Sequence, residues 1–342
     1  IKAPTGSGKT TLALICIQNF LDHFKQQAAS NLEHENVKVV YAVPTRALSL
    51  QIYQLLKKHF DQVGISTGEV QEIEKDTRIL VSTVEKFDIL AHLKPELIIF
   101  DEIHQVNQKP QIETLLLRHG SARVVGLSAT IDAQLLQVMN AAHLEFGDEF
   151  RLVQQSVHYV GVLEQNLAKQ HFKMKAQMFQ YLTQFVQKGL QVLVFVQSIK
   201  QVQTFALEFS QARQPHQSQK PQQQTKEQSL FDDSLLSRLQ QKGVAIHHSE
   251  LANQERRLVE SLFISKEVDV VFATSTLAVG VNLPADAVIV FNPQCFDTQQ
   301  QRFAYMSAME VDQMTGRAGR RQFTDFGQAV VLCMDHKFGV QR

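Results

Sequence analysis

Cysteine is scarce. Only Cys16, Cys295 and Cys333 occur in 342 residues, far apart and without C-x-x-C spacing. That argues against a disulfide framework, a cysteine-ligated zinc or an iron–sulfur cluster, and fits a reducing, intracellular compartment. No apolar run approaches the ~20 residues of a membrane-crossing helix, and no signal peptide is visible at the start. Neither sign of charge is in excess: 34 Lys and Arg balance 34 Asp and Glu. A polyanionic partner would therefore be held by a local groove rather than by a global field. Aliphatic and aromatic side chains are missing from Gln211–Gln228, apart from Ala212. Such a stretch cannot bury enough apolar surface to fold, and the expectation is a disordered, Gln-rich insertion at 211–228.

What is present begins with a phosphate-binding loop, Ala3-Pro4-Thr5-Gly6-Ser7-Gly8-Lys9-Thr10. Glycines let successive backbone N–H groups curl around a β-phosphate, a lysine reaches the β- and γ-phosphates, and the following hydroxyl ligates magnesium. Lys9 and Thr10 take those places, with Gly6, Ser7 and Gly8 forming the cradle. Ala3 stands where the strict pattern has glycine, a departure that leaves Gly6 and Gly8 untouched. A loop of this kind is fed by a buried strand, yet only Ile1 and Lys2 precede it. The expectation is that part of that strand lies upstream of this sequence.

The length allows two domains, and 44% hydrophobic residues supply a core for each. Short β-branched runs alternate with amphipathic stretches: Val37–Val43, Ile79–Ser82, Leu97–Phe100 and Arg123–Leu127, then Val192–Val196, Val244–Ile246, Val268–Ala273, Val288–Phe291 and Ala329–Cys333. The pattern predicts α/β architecture, two doubly wound lobes with parallel sheets. Glu145–Gly161, without a clear period, reads as the boundary, giving a first lobe over 1–148 and a second over 149–342. Ligands of such lobes bind beyond the carboxyl ends of the strands. Polar clusters follow the runs there: Pro44-Thr45-Arg46, Thr83 with Glu85, Asp101-Glu102, Ser128-Ala129-Thr130, His247-His248-Ser249 and Thr274-Ser275-Thr276.

Read in order, Ala3–Thr10, Pro44–Leu48 with Gln51, Thr67–Glu69, Thr83–Asp88, Asp101–His104, Ser128–Thr130, His247–Ser249, Ala273–Pro284 and Gln313–Arg321 resemble the motifs of superfamily 2 helicases. Within these, the sequence is similar to the DExH branch of superkiller-type RNA helicases, the spliceosomal unwinding helicase and archaeal repair helicases. The resemblance covers nearly the whole chain. It implies two RecA-like lobes, ATP and magnesium as cofactors, and a nucleic-acid strand as partner. Asp101, with Thr10, would hold the magnesium, and Glu102 would deprotonate the attacking water. His104, Ser128 and Thr130 would relay the state of the γ-phosphate. Gly280 and Gln313 would border the nucleotide. Arg317 and Arg320 would act as arginine fingers, groups worth about 10³–10⁵ in rate. Arg46, Thr83, Thr274 and Asn282 would hold the nucleic acid, Arg46, Thr83 and Thr274 through its phosphates, contacts that carry no base information.

Two positions depart from the pattern: Glu250 replaces the glycine after His247-His248-Ser249, and Gln322 the glycine after Arg320-Arg321. The resemblance implies an ATP-dependent motor running 3′ to 5′, with RNA and DNA both open. A clamp that hydrolyses ATP without separating strands shares every one of these residues. A degenerate binding module is the other alternative, opposed by intact Lys9, Glu102, Arg317 and Arg320. In this branch a β-hairpin separates strands; Asn292–Asp312 would hold it, with Phe296, Phe303 and Tyr305 around the polar tip Asp297–Gln301. Those rings serve equally well as wedge or as core.

Overall fold

A computed structural model of the chain describes residues 1–4, 6–27, 37–107, 109–129, 141–151, 153–213, 235–277, 283–297, 301–319 and 326–334. The chain divides into two compact units that join in sequence at residues 152 and 153. Each is an α/β layer structure around a six-stranded, mainly parallel sheet, the expected pair of RecA-like lobes.

In the first unit the strands are β1 (Val39–Val43), β2 (Val63–Ser66), β3 (Gln71–Glu72), β4 (Ile79–Thr83), β5 (Leu97–Asp101) and β6 (Arg123–Leu127). Their order is β3-β2-β4-β1-β5-β6, and only β3 runs antiparallel. The apolar runs are continuous because both faces of the sheet are covered. Val39, Tyr41 and Val43 point to one side with Ile79, Val81, Leu97 and Ile99. There they meet Ala13 and Ile17 of α1 (Lys9–Gln27) and Ile52, Tyr53 and Leu56 of α2 (Arg46–Lys57). Val40, Ala42, Leu80, Ile98 and Phe100 point to the other, against Phe87 of α3 (Val84–Ile89) and Ile112 and Leu115 of α4 (Pro110–Arg118). Helix starts are marked chemically. Thr45 caps α2 through a bond from the Leu48 N–H at 3.4 Å, and Pro110 opens α4 where no N–H is needed.

The second unit has the all-parallel order β7-β14-β11-β8-β10-β9. Its strands are β7 (Gln154–Gly161), β8 (Val192–Phe195), β9 (Val244–His247), β10 (Val270–Ala273), β11 (Ala287–Phe291) and β14 (Phe326–Cys333). Helices α5 (Leu167–Gln187), α6 (Ile199–Gln211), α7 (Leu235–Gln240), α8 (Asn253–Ile264) and α9 (Ala308–Thr315) accompany them. Phe205 meets Phe291 edge to face at 5.2 Å and Phe209 meets Phe272 at 6.2 Å, joining α6 to the sheet. The expected hairpin is present as β12 (Gln294–Asp297) and β13 (Arg302–Tyr305), antiparallel with Phe296 opposite Phe303.

Each of the nine predicted runs overlaps a strand, and others add to them. Val63–Ser66 is too short, with a glycine inside, to stand out. The segment read as lacking period ends in β7, which pairs with β14 through all eight of its residues. It is an edge strand, half-buried, so polar Gln, Ser and His side chains interrupt its alternation. The Gln-rich insertion falls, from residue 214 onward, outside the described residues. Among the described residues no helix is long and apolar enough to cross a membrane.

Candidate nucleotide and nucleic-acid sites

Parallel strands end on one edge of the sheet, and in the first unit that edge gathers the predicted polar groups. Ile1–Ala3 runs beside the end of β6, where the Ala3 N–H donates to the Ser128 carbonyl at 2.9 Å. The chain then turns: Ser7 Oγ and the Ser7 N–H both donate to the Pro4 carbonyl, at 2.7 and 3.2 Å. Gly6 and Gly8 have φ of +80° and +96°, where an L side chain is strained. A Cβ on Gly6 would meet nothing within 4 Å, so the requirement there is conformational and the space beside the loop is open. Lys9 opens α1, and its Nζ donates to the carbonyls of Ala3 at 2.8 Å and Pro4 at 3.1 Å. The start of α1, where the first N–H groups of a helix have no intrahelical partner, and the Lys9 ammonium beside it make an anion-binding arrangement.

Asp101 ends β5, and Glu102 follows with φ of +53°, rare for a residue other than glycine. Burial raises the Asp101 carboxyl to about 7 and the neighbouring Glu102 charge adds to it; Lys9, the Tyr41 hydroxyl and the Glu102 N–H act the other way. Tyr41 is wholly buried on β1 and donates to Asp101 Oδ2 at 3.2 Å. Its own proton is held well above the ordinary range, by burial first and by Asp101 second. The Lys9 ammonium is lowered by burial; Glu102 and Asp101 oppose this and Arg151 adds to it. A single 3-10 turn, Ile103–Asn107, carries His104 to within 2.8 Å of Ser128 Oγ and 3.3 Å of Glu102 Oε2 through Nδ1. Burial, helped by Lys9, lowers His104 to about 4, so the ring is neutral at pH 7. Lys9, Asp101, Glu102, His104 and Ser128 thus form one charge-coupled cluster, with Thr10 one residue along α1.

Farther along the same edge, Arg46 at the start of α2 pairs with Glu69 at 2.8 Å. Gly68 lies under it: a Cβ there would come within 2.9 Å of Arg46 Nη2. Thr83 precedes α3 and is buried, its side chain making no cap bond. Lys109 Nζ bridges the Pro44 carbonyl at 2.6 Å and Glu85 Oε1 at 2.5 Å.

In the second unit Thr274 follows β10 and its hydroxyl is 2.9 Å from that of Thr276. His247 ends β9 with Nε2 3.2 Å from Glu260; His248 is buried beside it. Gln313 lies on α9, whose C-cap is Gly316, and Arg317 follows that cap. Thr130, Gly280, Asn282 and Arg320 lie outside the described residues. Among the described residues no group of three or more His, Cys, Asp or Glu side chains is placed to hold a metal.

Sequence reasoning passed over Tyr41, Lys109 and Arg151. Tyr41 carried a signal, being the one residue with a polar tip in Val39–Val43 and of the same parity as the face-defining Val39 and Val43. Lys109 and Arg151 carried none that spacing alone reveals.

Residues 1–138 match the family model of the DEAD/DEAH box helicase, and residues 174–322 that of the helicase conserved C-terminal domain. The chain is 31% identical over 372 residues to the U5 small nuclear ribonucleoprotein 200 kDa helicase of Caenorhabditis elegans, a match covering 96% of this chain. It is 29% identical over 379 residues to activating signal cointegrator 1 complex subunit 3 of Bos taurus, covering 98%. To the RQC trigger complex helicase SLH1 of Saccharomyces cerevisiae it is 30% identical over 379 residues, covering 97%. The matches span 17%, 17% and 19% of the length of these three relatives.

Proposed function

The chain belongs to the superfamily 2 helicases, in their superkiller-like DExH branch, and from that membership we propose that it is an ATP-hydrolysing motor that moves 3′ to 5′ along RNA and separates duplex strands. The observation that carries this reading is the cluster of Lys9, Asp101, Glu102, His104 and Ser128 around the turn that opens α1. RNA is favoured over DNA by the ribonucleoprotein in the name of the nematode relative; in the sequence itself Gly316–Arg321 looks like the RNA-processing members and Thr276–Pro284 like the DNA-repair and spliceosomal ones. Work within a larger assembly, nuclear or cytoplasmic, is proposed from relatives named as complex components.

The residues fit magnesium and a nucleotide triphosphate. Burial and the Glu102 charge disfavour the ionised form of the Asp101 carboxyl, so a nearby divalent cation would supply the positive charge it lacks. One carboxylate and the Thr10 hydroxyl suffice, because magnesium takes its remaining ligands from phosphates and water. When bound, it offsets the negative charge of the β- and γ-phosphate oxygens.

The chain's own groups do the rest. Gly6 and Gly8 present N–H groups to phosphate oxygens, and Ser7 and Lys9 exchange their carbonyl acceptors for them. Glu102 takes the proton of the attacking water. Neutral His104 holds Ser128, linking the phosphate end of the cluster to the strand-binding loops. Arg46, Thr83, Thr274 and Asn282 are assigned to the nucleic acid, and Gly280, Gln313, Arg317 and Arg320 to the nucleotide.

The test compares ATP hydrolysis with matched RNA and DNA oligomers, and strand displacement on duplexes with 3′ or 5′ tails. RNA should stimulate more strongly, and only 3′-tailed substrates should be opened. No stimulation by either polymer would overturn the motor reading, and stimulation without displacement would replace it with the clamp.

A further inference from the structure

Lys109 lies outside every motif, yet its ammonium makes two short contacts on the strand-binding edge of the first unit. Its Nζ donates to the carbonyl of Pro44, which belongs to the turn that delivers Arg46. The same Nζ donates to Glu85, in the turn of helix that follows Thr83. One ammonium therefore clips together two loops that follow the neighbouring strands β1 and β4.

The backbone of Lys109 leads elsewhere. Its N–H donates to the Gln105 carbonyl at 2.8 Å, and the Gln105 N–H donates to the Glu102 carbonyl at 3.0 Å. Gln105 is buried, within the turn that also holds His104. On the far side the Ile112 N–H donates to the Lys109 carbonyl at 3.0 Å, anchoring the residue to α4, whose Ile112 and Leu115 sit in the core. A continuous hydrogen-bonded path thus runs from Glu102 through Gln105 to Lys109, and from its side chain to Pro44 and Glu85.

We propose that Lys109 is a positioning residue that couples the two activities of this unit, transmitting the arrangement of the strand-binding loops at Pro44 and Glu85 to the turn that bears Glu102. The idea rests on the motor reading above. A strand drawing Arg46 and Thr83 toward its phosphates shifts the Pro44 and Glu85 acceptors together, and the ammonium shared between them moves with both. Because the Lys109 backbone is bonded into the Glu102 turn, the displacement reaches the carboxylate. Lys109 touches neither nucleotide nor the reacting water in this scheme, so hydrolysis without nucleic acid does not depend on it.

Spatial continuity alone does not establish coupling, so the measurement must read the coupling itself. ATP hydrolysis is measured without RNA and over a full RNA titration for the parent, Lys109→Met, Lys109→Arg, Glu85→Gln and the Lys109→Met/Glu85→Gln double variant, with thermal unfolding of each. Lys109→Met is expected to keep unstimulated turnover within about twofold and to lose about fivefold or more of the stimulation at saturating RNA, the lower end of measured couplings between sites. Lys109→Arg should recover part of it, and the double variant should be no worse than Lys109→Met alone, since both break the same bridge. If Lys109→Met fails to fold, Glu85→Gln carries the comparison. Unchanged stimulation at saturating RNA overturns the proposal, including the case in which only the RNA concentration needed rises, which would make Lys109 a plain phosphate contact. A parent that RNA does not stimulate removes the motor reading itself, a different outcome from a stimulated parent with an indifferent Lys109.

Discussion

Gly126 on β6 lies opposite Phe100 and beneath Ile103, the residue between Glu102 and His104. A methyl group placed there would come to 2.9 Å from Ile103 Cδ1, 3.0 Å from Cγ2 and 3.4 Å from Cβ. Carbon atoms pack at about 3.5–4.0 Å, so Ile103 must retreat by roughly 0.5–1 Å in Gly126→Ala. Rotating the tip away does not suffice, because two of the three contacts are on the branched stem, which is stiff at χ1. The side chain is buried against Val40, Phe100 and Leu115, so the retreat is taken up by the turn. Overpacking of this kind costs about 1–3 kcal/mol, which for a unit of this size lowers the melting temperature by about 2–12 °C. Displacement of Glu102 by a fraction of an ångström should lower ATP turnover on the order of tenfold to a hundredfold. Thermal unfolding and steady-state hydrolysis at saturating ATP read the two effects separately. Adding Ile103→Val, which removes Cδ1, should recover part of both. A melting temperature within about 1 °C of the parent with turnover within about twofold would refute the reasoning.

Lys9→Ala should abolish turnover, whereas Glu102→Gln should still bind ATP with magnesium and remain on nucleic acid, because only the proposed base is lost; equal loss of nucleotide binding in both, read by fluorescent-nucleotide titration, would contradict the separate roles. Tyr41→Phe removes one hydroxyl from Asp101 and should raise the magnesium needed for half-maximal nucleotide binding about tenfold, the low end for a residue that orients a metal ligand; binding of ADP with and without magnesium checks this, and equal weakening of both would assign Tyr41 to the fold alone. Trimming Asp297–Gln301 to two residues between β12 and β13 should leave RNA-stimulated hydrolysis near normal and sharply reduce duplex unwinding; undiminished unwinding would place strand separation elsewhere.

The strands β1, β4 and β5 were legible because burial on both faces keeps them almost wholly apolar until their carboxyl ends, and each run starts or ends within two residues of its prediction. The turn that opens α1 was legible because its pattern is local: a glycine-dependent turn, a lysine and a hydroxyl within a few residues. What escaped depends on contacts that spacing cannot encode. Tyr41 and Asp101 are 60 residues apart and meet only because β1 and β5 are neighbours in the sheet order. Lys109 reaches Pro44 across 65 residues, and nothing in its immediate sequence marks the acceptor. The edge strand β7 hid for the opposite reason: its exposed side tolerates polar groups, and the alternation that would have revealed it is blurred.

The left-handed backbone of Glu102 sets stability against the role proposed for its carboxylate. Holding a residue with a side chain in that conformation costs roughly 1–2 kcal/mol, and glycine would relieve it while removing the carboxylate. Asparagine, which tolerates the same geometry, shortens the side chain and takes away its basicity. Selection for thermal resistance alone would therefore favour glycine or asparagine at position 102, at the expense of the general-base role proposed for Glu102.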